Sequence, residues 1–412
     1  HINMVEHMTK PQNTVLDAVA QKETQSMADI LPRVVKEHGK SLGGQLKELA
    51  SLSIRNNKLL ANEYYDFCLF DDKRFTKQQK KEFVGINKST DIWKKFASIN
   101  PWAQLIESKI GFEVMMKGIG LKTTNTIAVI SAQNPLKVTK NLKSTEELHA
   151  FFSAAKFPLF GKPSNSLKSL GAVAFKSYDT DKQEITTVNG DRFSLEDMWK
   201  SIHDNFKSDY LIQEYITPHP FLKNISASGL STIRIATLDQ GNGPEVYRAS
   251  MKISGKNNMA DNFWRDGNLL AAVDCETGKL HAGLDKSGID GSFHDTHPET
   301  GVQIKGEIIP HWDEAKEAVL YAAKFFENSI LIGFDVTITK DGPLIVEANN
   351  SPDLGILQVA HGKGLLDDQM LGAIEHAEQL YTNNIQTNKK IYKTGKTQPQ
   401  LGLKQSLNKK VA

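Results

Sequence analysis

Apolar residues recur at helical spacing through the first third of the chain and give way to short strand-like runs beyond it. Between Leu31 and Leu60, the residues Leu42, Leu46, Leu49 and Leu52 fall three or four apart, which predicts a helix with one buried face. Thr76–Phe83, Ile92–Ile99 and Trp102–Met116 carry the same period, and Tyr64–Phe70 is aromatic and apolar. A helical region is therefore expected over residues 13–120, with Tyr64, Tyr65, Phe67, Phe70, Trp93 and Trp102 in its core rather than on a base-stacking surface. After it, runs such as Phe157–Phe160, Ala172–Phe175, Tyr210–Tyr215 and Ser231–Leu238 read as strands between turn residues. The expected division is 121–215 for one α+β subdomain and 216–385 for a second, the latter with helices at Leu320–Phe326 and Asp367–Tyr381. Residues 1–12, including His1–His7 ahead of Met8, read as an appendage outside the fold.

The richest stretch is ILIGFDVTITKDGPLIVEANNSPDLGILQ, from Ile330 to Gln358. Two apolar strands flank the turn residues Lys340-Asp341-Gly342-Pro343, and folding about Asp341 sets Asp335 opposite Glu347. Glu347 and Asn349 are two apart and share a strand face. Three oxygen-bearing side chains are thus expected to converge with no basic residue among them, a donor set suited to Mg²⁺ completed by water and phosphate oxygens. A polar hairpin end would also contain Asp and Asn. All three, however, interrupt apolar strands, and a buried acidic cluster is costly without a cation, so the metal reading is preferred.

Phosphates would then be held by PLFGKPSNSLKSLGAVAF, from Pro158 to Phe175. Its first strand delivers Lys162 as a point charge, and the loop after it offers backbone N–H groups and the hydroxyls of Ser164, Ser166 and Ser169. A surface hairpin with a solvated lysine is the plainer alternative, and GxxxxGK[ST] is absent from the chain. Tyr210–Tyr215 ends in Gln213-Glu214-Tyr215 and runs into Ile216-Thr217-Pro218, an extended hinge whose backbone could pair with an adenine edge. Arg234, between Ile233 and Ile235, and Lys252, in the run YRASMKIS, could neutralise phosphate charge.

The order of these pieces resembles the ATP-grasp superfamily. Several segments are similar to its sugar-transfer-associated family: Thr232-Ile233-Arg234-Ile235, Asp261-Asn262-Phe263, GNLLAAVDCETGKL from Gly267, His297 to Gly301, and Ile309-Pro310 with Trp312. The likeness spans roughly Glu107 to Gln358, and Ser108-Lys109-Ile110 leading to Gly118–Leu121 is similar to D-alanine–D-alanine ligases. The resemblance implies an α+β ATP-grasp fold whose two subdomains clamp ATP. It implies that Arg234 and Lys252 act on the transferred phosphate, that Lys109, Lys162, Ser164, Ser166, Ser169 and the hinge Gln213, Glu214, Tyr215 and Ile216 hold ATP, and that Asp335, Glu347 and Asn349 hold one or two Mg²⁺ ions. The implied reaction joins a carboxylate to an amine through an acylphosphate, in the setting of surface polysaccharide synthesis. A phosphotransferase acting on a hydroxyl, or an inactive nucleotide-binding module, are the alternatives. An acceptor wall is expected from Asp261, Asn262, Arg265 and the His294–His297 loop, with His297 as a polar contact or general base. Two departures stand out: the loop Ser164–Gly171 has one glycine, and Lys252 stands where the family often has arginine.

Composition fits a soluble enzyme of two or three domains at 412 residues. Cys68 and Cys275 form no disulfide framework and suit a reducing, cytoplasmic setting. No apolar run reaches the length of a membrane span, no signal peptide is visible, and no nucleic-acid partner is expected. Gln386–Ala412 holds seven lysines and no acid, which leaves the other 385 residues at −5 within a net charge of +2. This tail is expected to be a mobile end, with at most weak contact to anionic surfaces. His281, His294, His297 and His311 lie close in sequence, but their spacing matches no zinc motif.

Overall fold

The computed structural model describes residues 16, 26–54, 57–131, 139–165, 171–206, 209–227, 229–256, 262–263 and 266–394, with side chains to 386. Two seven-stranded sheets carry the fold. The first contains β1 (Thr126–Ile130), β2 (Lys140–Leu142), β3 (Leu159–Pro163), β4 (Val173–Asp179), β5 (Glu184–Thr187), β6 (Arg192–Ser194) and β7 (Tyr210–Glu214), in the order β2-β1-β7-β3-β4-β5-β6. The second contains β8 (Thr232–Asp239), β9 (Pro244–Ile253), β10 (Leu269–Val273), β11 (Leu280–Leu284), β12 (Phe293–His294), β13 (Leu331–Thr339) and β14 (Gly342–Asn349), in the order β12-β11-β10-β9-β8-β13-β14. β1 and β2 run parallel, and the other pairings are antiparallel. The sheets are tied at Ile345, whose N–H donates to the Lys122 carbonyl at 3.0 Å.

Three cores divide the apolar residues. The first sheet packs on helices Thr145–Ala154 and Leu195–Asn205, both N-capped by serines. The second sheet is covered on both faces. One face, with Ile233, Ile235, Phe334 and Val336, packs on helix Trp312–Phe325. The other face, with Ala236, Leu238 and Leu331, meets the N-terminal helices and helix Asp368–Thr394.

The N-terminal aromatics behave as their pattern predicts: Tyr64, Tyr65, Phe67 and Phe70 are buried, and Trp93 and Trp102 pack against the cores. The leucine stripe does so in part, with Leu52 buried and Leu49 packed against the same core. Leu31–Leu60 is two helices, Met27–His38 and Leu42–Ile54, parted at Gly39 in the left-handed region, and Leu42 and Leu46 are exposed. The second helix instead turns Gln45 inward, where it is fully buried and accepts from the Tyr65 hydroxyl at 2.9 Å. Trp102–Met116 is likewise split at Ser108, which caps helix Lys109–Gly118 by accepting from the Gly111 N–H. Helix Asp368–Thr394 runs nine residues into the segment expected to be a mobile tail, and residues 395–412 lie outside the described residues. Among the described residues no helix is long and apolar enough to cross a membrane.

The N-terminal helical layer is fastened by backbone contact to the segment between helices Leu354–Val359 and Asp368–Thr394. Glu82 O accepts from the N–H groups of Leu365 and Leu366 at 2.8 and 2.9 Å. Gly364 makes this approach possible, since a Cβ there would sit 2.2 Å from the Glu82 carbonyl carbon. Gly364→Ala is therefore expected to destabilise the protein by about 1–3 kcal/mol through overpacking. Urea denaturation of the two proteins checks this, and an unchanged midpoint would refute it.

Candidate active site

Strand pairing gathers the charged residues. Asp335 on β13 stands opposite Glu347 on β14, as the hairpin pattern predicts, and opposite Arg234 on β8. Opposed residues share a face. Because Ile233, Ile235, Phe334 and Val336 fill the core beneath, Arg234 and Asp335 project to the other side. Lys252 on β9 pairs with Thr232, two residues from Arg234, and reaches the same carboxylate. Gly333 leaves the room: a Cβ there would lie 3.3 Å from Arg234 Nη1 and 2.7 Å from the Pro352 ring.

The expectation of an acidic cluster free of bases is overturned. Arg234 Nε donates to Asp335 Oδ1 at 2.6 Å and its Nη2 to Oδ2 at 3.1 Å, while Lys252 Nζ donates to Oδ2 at 2.9 Å. Burial alone would raise the Asp335 carboxyl, but the two cations hold it well below the usual carboxylate range. Burial likewise opposes the Arg234 charge, and Asp335 outweighs it. The physical reason is the one that favoured a cation at this position. A carboxylate this deep needs positive charge, and the neighbouring strands supply it from the protein itself.

The remaining groups surround this triad in a cleft of about 960 Å³ between the sheets. Lys162, at the end of β3, is buried, which lowers its basicity, and its Nζ lies 3.9 Å from Glu347 Oε2. Lys109, at the start of its helix, donates to the Ser164 carbonyl at 3.1 Å. Ser164 thus meets the site through its backbone, and Ser166 and Ser169 lie outside the described residues. Glu214, Tyr215 and Ile216 line the cleft where β7 ends. Gln213 lines it too, although its amide is committed to Glu113 Oε2 at 3.2 Å and Thr126 Oγ1 at 2.9 Å. Phe112, Phe160, Ala172 and Ala174 give the cleft an apolar side beside this hinge.

Of the expected acceptor residues, Asn262 lines the cleft, and Asp261 and Arg265 lie outside the described residues. His297 is a correction. It does not line the cleft but is buried in its own turn, with Nδ1 accepting from the Glu299 N–H at 3.2 Å. The other histidines of that stretch disperse: His294 pairs with Asp285 at 2.9 Å and His311 with Glu314 at 2.7 Å. Sequence reasoning missed Glu107, which lines the cleft, accepts from the Asn350 N–H at 2.8 Å and has its carboxyl raised by burial. It also missed Glu113, which fixes Gln213, and the lining contributed by the N-terminal helices. No motif marks any of these, since each becomes polar lining only through packing.

A divalent cation fits this donor set in part. Among the described residues no three of His, Cys, Asp and Glu converge as a complete metal shell. Asn349 Nδ2, however, is buried with no hydrogen-bond partner among them, and a half-turn of the amide would present its oxygen at that orphaned position. Glu347 is the least committed carboxylate, with its side chain 32% exposed. Glu347 and Asn349 therefore fit a cation that draws further oxygens from water or a ligand, whereas Asp335 is held by Arg234 and Lys252.

Two sheets bracketing a cation-lined cleft are the architecture of an ATP-grasp protein. A family model described as sugar-transfer associated ATP-grasp matches residues 87–375, and the chain belongs to that family. Similar solved structures include the D-alanine–D-alanine ligase of Bacillus anthracis complexed with ATP, at 14% identity and TM-score 0.35 over 68% of this chain and 67% of that one. They also include the N5-carboxyaminoimidazole synthase of Aspergillus clavatus, at 8% identity and TM-score 0.32 over 60% of this chain and 44% of that one. A third is the 2-oxoglutarate carboxylase biotin carboxylase domain of Hydrogenobacter thermophilus, at 15% and 0.36 over 66% and 49%. A search of curated proteins found no match.

Removing the Asp335 charge should expose what it balances. Asp335→Asn leaves Arg234 and Lys252 buried beside a neutral amide, so the nucleotide-free protein is expected to lose about 3–5 kcal/mol. Chemical denaturation measures the loss, and a change below about 1 kcal/mol would show that the triad is not a buried charge balance.

Proposed function

We propose that this chain is an ATP-dependent ligase that joins a carboxylate to an amine through an acylphosphate. The observation that carries the reading is the single cleft that collects Lys109, Lys162, Arg234 and Lys252 with Glu347 and Asn349, next to an apolar slot and a strand end. Four cations and a partial metal shell suit a triphosphate, and the slot and hinge suit a planar base.

A carboxylate oxygen of the first substrate attacks the γ-phosphorus of ATP, the bond to the β–γ bridging oxygen breaks, and ADP leaves. An amine then attacks the acyl carbon, and phosphate departs with the C–N bond formed. The chain contributes position and charge rather than a covalent partner. Lys109 and Lys162 hold the nucleotide phosphates. Arg234 and Lys252 exchange Asp335 for the phosphoryl group in transfer, where their charge opposes the charge that develops on its oxygens. Magnesium held by Glu347, Asn349 and the released Asp335 would screen the phosphate charge. A setting in surface polysaccharide synthesis is supported only by the family's description as sugar-transfer associated.

The test is product analysis with ATP, Mg²⁺ and pooled carboxylates and amines. ADP, phosphate and an amide are expected. AMP with pyrophosphate would overturn the mechanism, a phosphorylated hydroxyl compound would make the protein a phosphotransferase, and bound ATP without turnover would make it a binding module. Glu347→Gln, which keeps the shape and removes one anionic ligand, should cut turnover about a hundredfold or more while the fold is retained. Full specific activity in this variant would remove Glu347 from the site.

A further inference from the structure

The cleft extends past Asn349 to a wall that the ATP-grasp sheets do not build. Helix Ala61–Asp66 contributes Asn62, Glu63 and Asp66, followed by Phe67, and helix Ile86–Ala97 contributes Ile86, Ser89 and Trp93. Ile86, Ser89 and Trp93 are spaced three and four apart and share one helix face. Glu63 fastens the two helices, since its Oε2 accepts from the Leu60 N–H at 2.7 Å and its Oε1 from the Ile86 N–H at 2.6 Å.

This wall is fixed against the candidate metal hairpin. Five residues after Asn349, helix Leu354–Val359 begins, and Leu354, Ile356 and Val359 line the same cleft. Its Gln358 clamps the N-terminal layer, with Oε1 accepting from the Val84 N–H at 2.8 Å and Nε2 donating to the Val84 carbonyl at 3.0 Å.

The chemistry of the wall differs from that of the phosphate half. All four cations that line the cleft, Lys109, Lys162, Arg234 and Lys252, belong to the nucleotide half, and among the described residues the helical wall presents none. It presents instead the carboxylates of Glu63 and Asp66 between apolar side chains and the indole of Trp93. Asp66 finds its side-chain partner in the Asn62 amide rather than in a base, and burial pushes its carboxyl up to about 6. Trp93 Nε1 is buried with no hydrogen-bond partner among the described residues. A carboxylate without a cation and an aromatic ring face are the two groups that hold an ammonium, and the orphaned indole N–H can donate to an oxygen of the same ligand.

Resting on the ligase reading, we propose that this helical wall is the acceptor subsite and that it selects a primary amine carried on an apolar body. Asp66 receives the ammonium, Trp93 stacks over it, and Phe67, Ile86 and Val359 take the apolar part. An anionic acceptor is rejected, because its charge would meet Glu63 and Asp66 without a counterion.

The test is calorimetric titration of the full chain with 2-phenylethylamine and with 3-phenylpropionate, a probe of similar size and opposite charge, in the presence of Mg²⁺ and a non-hydrolysable ATP analogue. The amine is expected to bind at least about tenfold more tightly than the carboxylate, a difference of about 1.4 kcal/mol. Asp66→Asn should weaken the amine about tenfold or more, and Trp93→Leu should also weaken it. Equal binding of the two probes to the unaltered protein, or undiminished amine affinity in Asp66→Asn, would overturn the proposal. The probe comparison needs no variant, so it decides even if a substitution impairs folding. Nucleotide affinity, titrated separately, keeps the two readings apart: its absence would refute the ligase assignment, whereas equal probe binding with nucleotide affinity intact would refute the amine subsite alone.

Discussion

A buried carboxylate held between two buried cations organises this protein. Asp335 is buried on β13, between β8 and the edge strand β14 of the second sheet, where an unpaired charge would cost several kcal/mol. Arg234 and Lys252 reach it from adjacent strands because the register of β8, β9 and β13 puts all three on one face. That balance has a functional corollary. In the absence of nucleotide the cations neutralise Asp335, so a polyanion entering the cleft competes for charge the protein already uses. On the proposed function, nucleotide binding and the release of Asp335 are coupled, since Arg234 and Lys252 would exchange that carboxylate for phosphate.

The N-terminal helices complete this arrangement rather than decorate it. They cover the sheet face that carries the triad, and their own inner surface is held by charge. Lys80 is buried and donates to Glu48 at 3.0 Å and to Asp72 at 2.5 Å, while the Tyr64 hydroxyl donates to the same glutamate at 2.6 Å. A network of this kind fixes geometry more than it adds stability. Its consequence is a rigid wall at one end of the cleft, built from residues that belong to no nucleotide-binding motif.

Much of the cation-lined half of the cleft was legible in the sequence. The turn at Lys340–Pro343 and the alternation around it force Asp335 opposite Glu347, because side-chain period and hairpin register leave little freedom. Lys162 at a strand end, Arg234 between two isoleucines and the Gln213–Ile216 hinge are likewise local facts, since each depends on the strand that holds it.

Other features were decided only in three dimensions. Strand alternation places Arg234 and Asp335 on a face, but neither sequence run says that the two strands are neighbours, so the acids were expected apart from the bases. The leucine period near residue 46 promised a buried stripe, yet Gln45 turned inward because Tyr65 offered it a partner. His297 had the composition of a site residue, and its own turn enclosed it. Glu107, Asp66 and Trp93 became cleft lining through the docking of one layer on another. Local pattern sets which side of an element is apolar, whereas the identity of the surface opposite, and hence whether a polar group is exposed, paired or left waiting for a ligand, is a property of long-range packing alone.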